Sequence, residues 1–375
     1  MRKICLIIDF LTGGGAQRLV ATLAGEMARR GIETHIITLF DVCKYRLDDA
    51  IRYHALSGSP ESWWTRRGLA AKLGFLMKDL EQDAPFDLVV TNLARSCEIA
   101  EMAGLKGVYH CINNSPANHI RQTRHGLLKS IWRRAKLRRL YDRQHLIAVS
   151  RGVARDLEND LGIRPASISL IYNGFDFQEI DRLSAEPVQA ADAMQPFVLY
   201  VGHFKRPKRP DLVLEAFALA RLSHNLVFLG KGSSRKLNRL KRRAKKLGLA
   251  GSVFFAGWHE NPFAWMKRAD LLVFCSDSEG FGRVIVEALA VGTPVASTDC
   301  PSGPAEILTG NLRRWLVPAG EPAALADAIR LAIESPPQLD RSAVEPFSIE
   351  RIVDRYLQLT PRHALMSGSD MTGSA

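Results

Sequence analysis

The sequence repeats one local pattern almost from end to end. A short apolar run is followed by a polar or glycine-bearing turn, then by a stretch with helical periodicity. Residues 3–8 (KICLII) open the first unit. Thr12-Gly13-Gly14-Gly15-Ala16 follows, an amphipathic stretch runs to about Arg30, Gly31 stops it, and residues 34–39 form a second apolar run. Further runs stand at 87–91, 107–111, 145–149, 168–172, 197–201, 226–229, 253–256 and 271–274. Runs that are apolar throughout suit strands buried on both faces, as in a parallel sheet covered by crossover helices. The alternation therefore predicts an α/β chain with doubly wound parallel sheets. At 375 residues there is room for two such domains. The Ala-, Gln- and Pro-containing stretch 184–196 reads as the linker between them.

The chain is 46% hydrophobic and 24% charged, a normal balance for a globular protein. No apolar run approaches the length that spans a bilayer. The start is basic and then apolar, as a secretory leader would be. Its apolar run is short, ends in Asp9-Phe10 and lacks a small-residue cleavage site, so it reads as a buried strand. Six scattered cysteines, with no C-x-x-C pair, support neither a disulfide framework nor a zinc site. A reduced, cytoplasmic protein is expected. The net charge of +12 predicts acidic partners, whether nucleic acid, anionic lipid or anionic substrate.

Two stretches concentrate that charge. Residues 121–143 hold nine Lys/Arg and one acid, with Leu127, Leu128, Ile131, Trp132 and Ala135 at helical spacing. This predicts a basic amphipathic helix suited to an anionic membrane surface. A core-facing helix with a solvated back is the alternative. Residues 231–246 hold nine Lys/Arg and no acid. They read as a solvated helix face, with a polyphosphate or membrane surface as the alternative. Nothing matches a nucleic-acid-binding motif, so nucleic acid is the less favoured partner. Trp63-Trp64 reads as structural, and residues 361–375 as a disordered tail.

The stretch richest in chemistry follows the run at 271–274. It reads Cys275-Ser276-Asp277-Ser278-Glu279-Gly280-Phe281-Gly282-Arg283-Val284-Ile285-Val286-Glu287. Glu279 falls in a loop and Glu287 in a helix expected from about Gly282, giving E-x7-E. The loop and first helical turn present free N–H groups, which attract anions. Carboxylates on both sides would meet hydroxyls flanking a bound anion, the layout of a nucleotide sugar. Two solvated carboxylates are the competing reading.

This segment, with Leu289-Ala290-Val291-Gly292-Thr293-Pro294-Val295 and the stretch from Ser297 to Pro304, resembles the donor-site signature of retaining glycosyltransferases of family GT4, which have the GT-B fold. The resemblance extends to Tyr172-Asn173-Gly174-Phe175-Asp176, Val201-Gly202-His203, Gly230-Lys231-Gly232 and Gly257-Trp258. It implies two Rossmann-like domains facing a cleft. An acceptor-binding domain, residues 1–190, would be rejoined by a C-terminal helix at 346–360. Residues 191–345 would bind the nucleotide sugar.

The resemblance also implies roles. Glu279 would hold donor-sugar hydroxyls and Glu287 the ribose diol. The Phe281 and Gly282 amides would bind phosphate oxygens. Lys208, with His203 or its neighbours Lys205 and Arg206, would meet the diphosphate, His203 standing where the family has Arg. Gly14 and Gly15 would approach the donor phosphates or the acceptor, and Gly230 the nucleotide. Trp258 packs on the base or sits in the core. The family's active-site His maps to His110 or His119, because Ile112 occupies the place directly before Asn113-Asn114. No metal or other cofactor is implied. The expected reaction moves a hexose or N-acetylhexosamine from an NDP-sugar donor, UDP-linked by preference, to a glycan or glycolipid acceptor. That acceptor would be lipid-linked or a lipopolysaccharide, met peripherally at the cytoplasmic face of the inner membrane. An epimerase or phosphorylase of the same fold, and a basic nucleic-acid-binding protein, are the alternatives.

Overall fold

The computed structural model describes residues 2–58, 65–122 and 127–360. The chain divides into two compact units, Met1–Phe175 with Phe347–Ala375, and Asp176–Pro346. The first is built on strands β1 (Lys3–Ile8), β2 (Glu33–Thr38), β3 (Ile51–Ala55), β4 (Leu88–Asn92), β5 (Val108–Ile112), β6 (His145–Ala148) and β7 (Ser167–Leu170). They pair in parallel in the order β3-β2-β1-β4-β5-β6-β7. The second holds β8 (Phe197–Val201), β9 (Asn225–Leu229), β10 (Val253–Gly257), β11 (Leu271–Phe274), β12 (Val295–Asp299) and β13 (Leu316–Pro318), parallel in the order β10-β9-β8-β11-β12-β13.

Both sheets grow outward from their first strand and then reverse, between β1 and β4 and between β8 and β11. At such a reversal the connections leave toward opposite faces and open a crevice at the strands' C-terminal ends. The central strands are the apolar runs of the sequence. β1 is buried at every position, which fits helices covering both faces. β3 has no counterpart among the apolar runs of the sequence. Its sequence, IRYHA, is only partly buried because it is the edge of the sheet and has one strand neighbour, so nothing demands an apolar run.

The final helix, Ile349–Leu357, belongs to the first unit. The Phe175 amide donates to Phe347 O and the Ile349 amide to Phe175 O, each at 2.9 Å. Arg30 pairs with Asp354 and donates to Glu350 O, and Tyr356 is buried against Cys111. The chain changes units at Phe175/Asp176, earlier than the boundary expected at 190/191. The reason is the Phe177–Ser184 helix, which packs within the second unit. Asn261 donates to Leu183 O, and Arg341 pairs with Asp181 and covers the Phe177 ring.

The basic stretch forms two helices, Pro116–Gln122 and Leu127–Tyr141. Among the described residues, no helix is long and apolar enough to cross a membrane. Trp63-Trp64 and the 361–375 tail lie outside the described residues.

Candidate functional site

In the second unit, the reversal between β8 and β11 is bordered by two loops, residues 202–209 and 275–282. They are laced together by short polar bonds. Ser276 Oγ and the Asp277 amide both donate to Pro207 O at 2.7 Å. Arg209, with its backbone in the left-handed region, donates to Asp277 at 3.0 Å. This lacing fixes Lys208 against Glu279, its ammonium donating to the Glu279 carboxylate. The Glu279 side chain is 10% exposed and that of Lys208 34%. A nearly desolvated carboxylate thus meets a cation that solvent still reaches, at the crevice where this sheet class binds ligands.

The helix expected from Gly282 runs Arg283–Ala290, with Gly282 as a left-handed cap. Its approach depends on one more glycine. Gly303 has φ +105°, and a Cβ there would lie 1.9 Å from Phe281 O. Only glycine lets the 300–303 turn cross the Phe281 backbone so closely. Glu287 is buried in the helix, 3.5 Å from the Arg283 guanidinium one turn earlier. Each carboxylate of E-x7-E therefore faces a cation. Arg283 escaped the sequence reading, although its i, i+4 spacing to Glu287 was a usable signal.

A second cluster joins the loops after β8, β9 and β10. Gly202 N donates to Leu229 O, Phe204 N to Lys231 O and Gly230 N to Gly257 O. Gly230, at φ +152°, sits so close to Gly202 that a Cβ would lie 1.8 Å from its carbonyl oxygen. Trp258 is 50% exposed and is not a core residue; Lys231 Nζ lies 4.3 Å from its ring centroid. His203, in the loop after β8, is exposed. Desolvation, and then the Lys205, Lys208 and Lys231 ammonium groups, push its pKa down. The imidazole at the family's Arg position is therefore neutral near pH 7, and positive charge there comes from the lysines.

In the first unit, Gly14 caps the Gly15–Arg29 helix and Gly13 is left-handed. Asp9, at the end of β1, accepts from Ser96 N and Oγ at 3.0 Å across the β1/β4 reversal. Burial raises the Asp9 pKa against those bonds and Arg95. Asn113 donates to Asn92 Oδ1 at 3.3 Å, while Asn92 Nδ2 is buried without a partner. Asp9 and Asn92 were missed, because only the strand order shows that they share a crevice. Asp156 accepts from Ser115 Oγ and Ala117 N and so fixes the turn after β5.

His110 does not reach that crevice. It has no exposed surface, and both ring nitrogens are occupied, Nδ1 by Thr91 Oγ1 at 2.6 Å and Nε2 by Glu101 at 3.0 Å. Burial opposes its charge, but its partners Cys97 and Glu101 prevail and raise the pKa to about 9. This corrects the active-site expectation. Within β5 the side chain points under the Ala94–Met102 helix, which supplies Glu101. His119 is in the Pro116–Gln122 helix, and its side chain lies outside the described residues.

Two Rossmann-like sheets with these reversals, the second holding a cation–carboxylate pair, define an α/β protein of the GT-B class. The family model described as Glycosyltransferase Family 4 matches residues 13–179, and the one described as Glycosyl transferases group 1 matches residues 181–345. The chain belongs to the group 1 glycosyltransferases and is an enzyme of that kind. It is 27% identical over 340 residues, 89% of this chain and 91% of the relative, to the N-acetylgalactosamine-N,N'-diacetylbacillosaminyl-diphospho-undecaprenol 4-alpha-N-acetylgalactosaminyltransferase of Campylobacter jejuni. It is 35% identical to the lipopolysaccharide core biosynthesis glycosyltransferase LpsE of Rhizobium meliloti over 177 residues, 45% of this chain and 50% of that one. Among solved structures, HepE of Anabaena in complex with UDP and glucose superposes with a TM-score of 0.74 at 20% identity, covering 98% of this chain and all of that one.

Proposed function

We propose that the enzyme transfers a hexose or N-acetylhexosamine, with retention, from a UDP-linked donor to a hydroxyl of a lipid-linked or lipopolysaccharide glycan. The observation that carries this reading is the Lys208–Glu279 pair at the β8/β11 reversal, with Lys205 and Lys231 close to His203 beside it. The acceptor hydroxyl attacks the anomeric carbon, the bond from that carbon to the phosphate oxygen breaks, and the hydroxyl proton passes to the leaving phosphate. Negative charge grows on the diphosphate, and Lys208 opposes it. A preorganised cation at developing charge is a large catalytic contribution.

Glu279 holds the sugar hydroxyls, and Glu287, oriented by Arg283, takes the ribose. The Phe281 and Gly282 amides meet phosphate, and the exposed Trp258 ring stacks on the base. Gly230 sets the close approach to Gly202 in the same loop cluster. On the first unit, the Gly14 and Gly15 amides offer a further anion-binding point. His110 drops out of the assignment, and no bound metal is called for. The C. jejuni relative's name includes a diphospho-undecaprenol, and HepE was solved with UDP-glucose as well as with UDP and glucose. The relative's name supports a lipid-linked acceptor, and the HepE ligands support a nucleotide-sugar donor.

Peripheral binding at the cytoplasmic membrane face is part of the proposal. In the Leu127–Tyr141 helix, Leu128 is 84%, Trp132 63% and Ile131 54% exposed. Three of its cations are engaged by protein, whereas Lys129 and Arg139 are exposed. Arg134 donates to Asp160 O, Arg138 to Leu161 O, and Lys136 pairs with Glu98. The apolar stripe thus faces out, where it can enter a lipid interface. Release of UDP from a panel of UDP- and GDP-sugars, with and without a lipid-linked acceptor, tests the reading. Failure of every UDP-sugar to bind would overturn it.

A further inference from the structure

The Ser234–Lys246 helix of the second unit carries a surface that this chemistry does not use. Its inner side is Leu240 and Ala244, both buried. Arg235, Arg239, Arg242 and Lys246 recur at i, i+4, i+7 and i+11, so they line up along the opposite face, and all four are exposed. Lys236, Lys241 and Lys245 are exposed beside them. Among the described residues, Arg243 alone of this helix's cations pairs with an acid, Glu215. Like charges at these spacings repel and weaken the helix that bears them. An anionic surface laid against the stripe removes that repulsion.

The shape of the stripe limits what fits it. Eleven helical steps make a straight row roughly 16 Å long, more than one diphosphate can neutralise. No large apolar or aromatic side chain is exposed on this helix. Stacking of nucleic-acid bases, which single strands exploit, has no platform here. A row of cations on one face does match a plane of lipid phosphates. The exposed Leu128 and Ile131 of the first unit also suit a lipid interface and offer bases no stacking platform.

We propose that the Ser234–Lys246 helix is a second membrane-docking element, binding an anionic leaflet by charge alone. It is independent of the apolar stripe on the first unit and of the donor-site assignments.

The test uses the full chain and vesicles of phosphatidylglycerol mixed with phosphatidylcholine, or of phosphatidylcholine alone. Replacing Arg235, Arg239, Arg242 and Lys246 by Glu should lower partitioning to the anionic vesicles by about 100-fold or more at low salt, since each cation near an anionic leaflet contributes several-fold. Binding to neutral vesicles and donor hydrolysis in solution should not change. Salt of about 0.5 M should bring the wild type down to the variant. Replacing the same four residues by Gln keeps helix propensity and should give a smaller loss in the same direction. A companion with Leu128, Ile131 and Trp132 replaced by Ser should keep the salt-sensitive component, which separates failure of the apolar stripe from failure of this helix. Unchanged partitioning of both four-residue variants would overturn the proposal. So would a single-stranded RNA that displaces the wild type from anionic vesicles and binds through these same four residues.

Discussion

Lys208→Met removes the ammonium while keeping the length of the side chain. Two effects follow, and the structure ranks them. For the fold, Glu279 is left about nine-tenths buried without its cation. A charge-assisted hydrogen bond is worth roughly 1.5–3 kcal/mol, and the exposure of Lys208 puts this pair at the low end. In a unit of this size that corresponds to a fall in Tm of about 3–6 °C. For the chemistry, losing one preorganised group that opposes transition-state charge costs roughly 100- to 1,000-fold in kcat. The variant should therefore stay folded, bind UDP-sugar within a few-fold of wild type, and transfer sugar at least about 100-fold more slowly. Calorimetric titration with UDP, thermal melting and UDP release measure the three quantities. Pairing Lys208→Met with Glu279→Gln should restore most of the lost Tm, because the stranded carboxylate is gone, yet leave kcat low. An unchanged kcat with weakened donor binding would refute the reasoning.

Trp258→Ala should weaken UDP binding by roughly 5- to 100-fold, the span that loss of one base-stacking platform gives, with kcat at saturating donor little changed; competition with free UDP measures it. Gly303→Ala combines a left-handed backbone with a clash against Phe281 O; a loss of about 3 kcal/mol or more in urea unfolding is expected, together with donor binding. His110 is held above its ordinary pKa, to about 9, so the folded state prefers the protonated ring. Its contribution is complete below about pH 6.5 and lost as pH rises through about 9. The Tm gap between wild type and His110→Gln should accordingly be widest near pH 6 and shrink toward pH 10, with transfer activity at pH 7 retained in the folded fraction. Exhaustive chelation should leave activity intact, and restoration by added Mg²⁺ or Mn²⁺ would contradict that expectation.

The strands were legible where burial on both faces forces an unbroken apolar run, as in residues 3–8 and 271–274. β3 was not legible, because an edge strand can mix Arg, Tyr and His without losing its pairing. The Glu279 loop and the Gly282 start of its helix were legible from local chemistry. What that chemistry meets was less so. Lys208 lies 71 positions from Glu279, and only the strand order shows that their loops border one crevice. The same holds for Asp9 and Asn92. Trp258 looked equally like core or platform, since exposure depends on loops that come from three separate strands. His110 misled because a His at a strand end before two Asn resembles an active-site group, while its partners Thr91 and Glu101 come from a neighbouring strand and a helix. In the Leu127–Tyr141 helix, which side chains turn outward was not legible, because Arg134 and Arg138 are held by the Asp160 and Leu161 carbonyls.

The central claim is that the second unit holds a nucleotide-sugar donor through the Lys208–Glu279 region. Its most direct test is UDP release from UDP-hexoses and UDP-N-acetylhexosamines, measured in parallel for wild type, Lys208→Met and Glu279→Gln. The account predicts that at least one UDP-sugar is turned over by the wild type, that both folded variants bind UDP, and that both lose turnover by about 100-fold or more. Wild-type turnover that survives in both variants would contradict it.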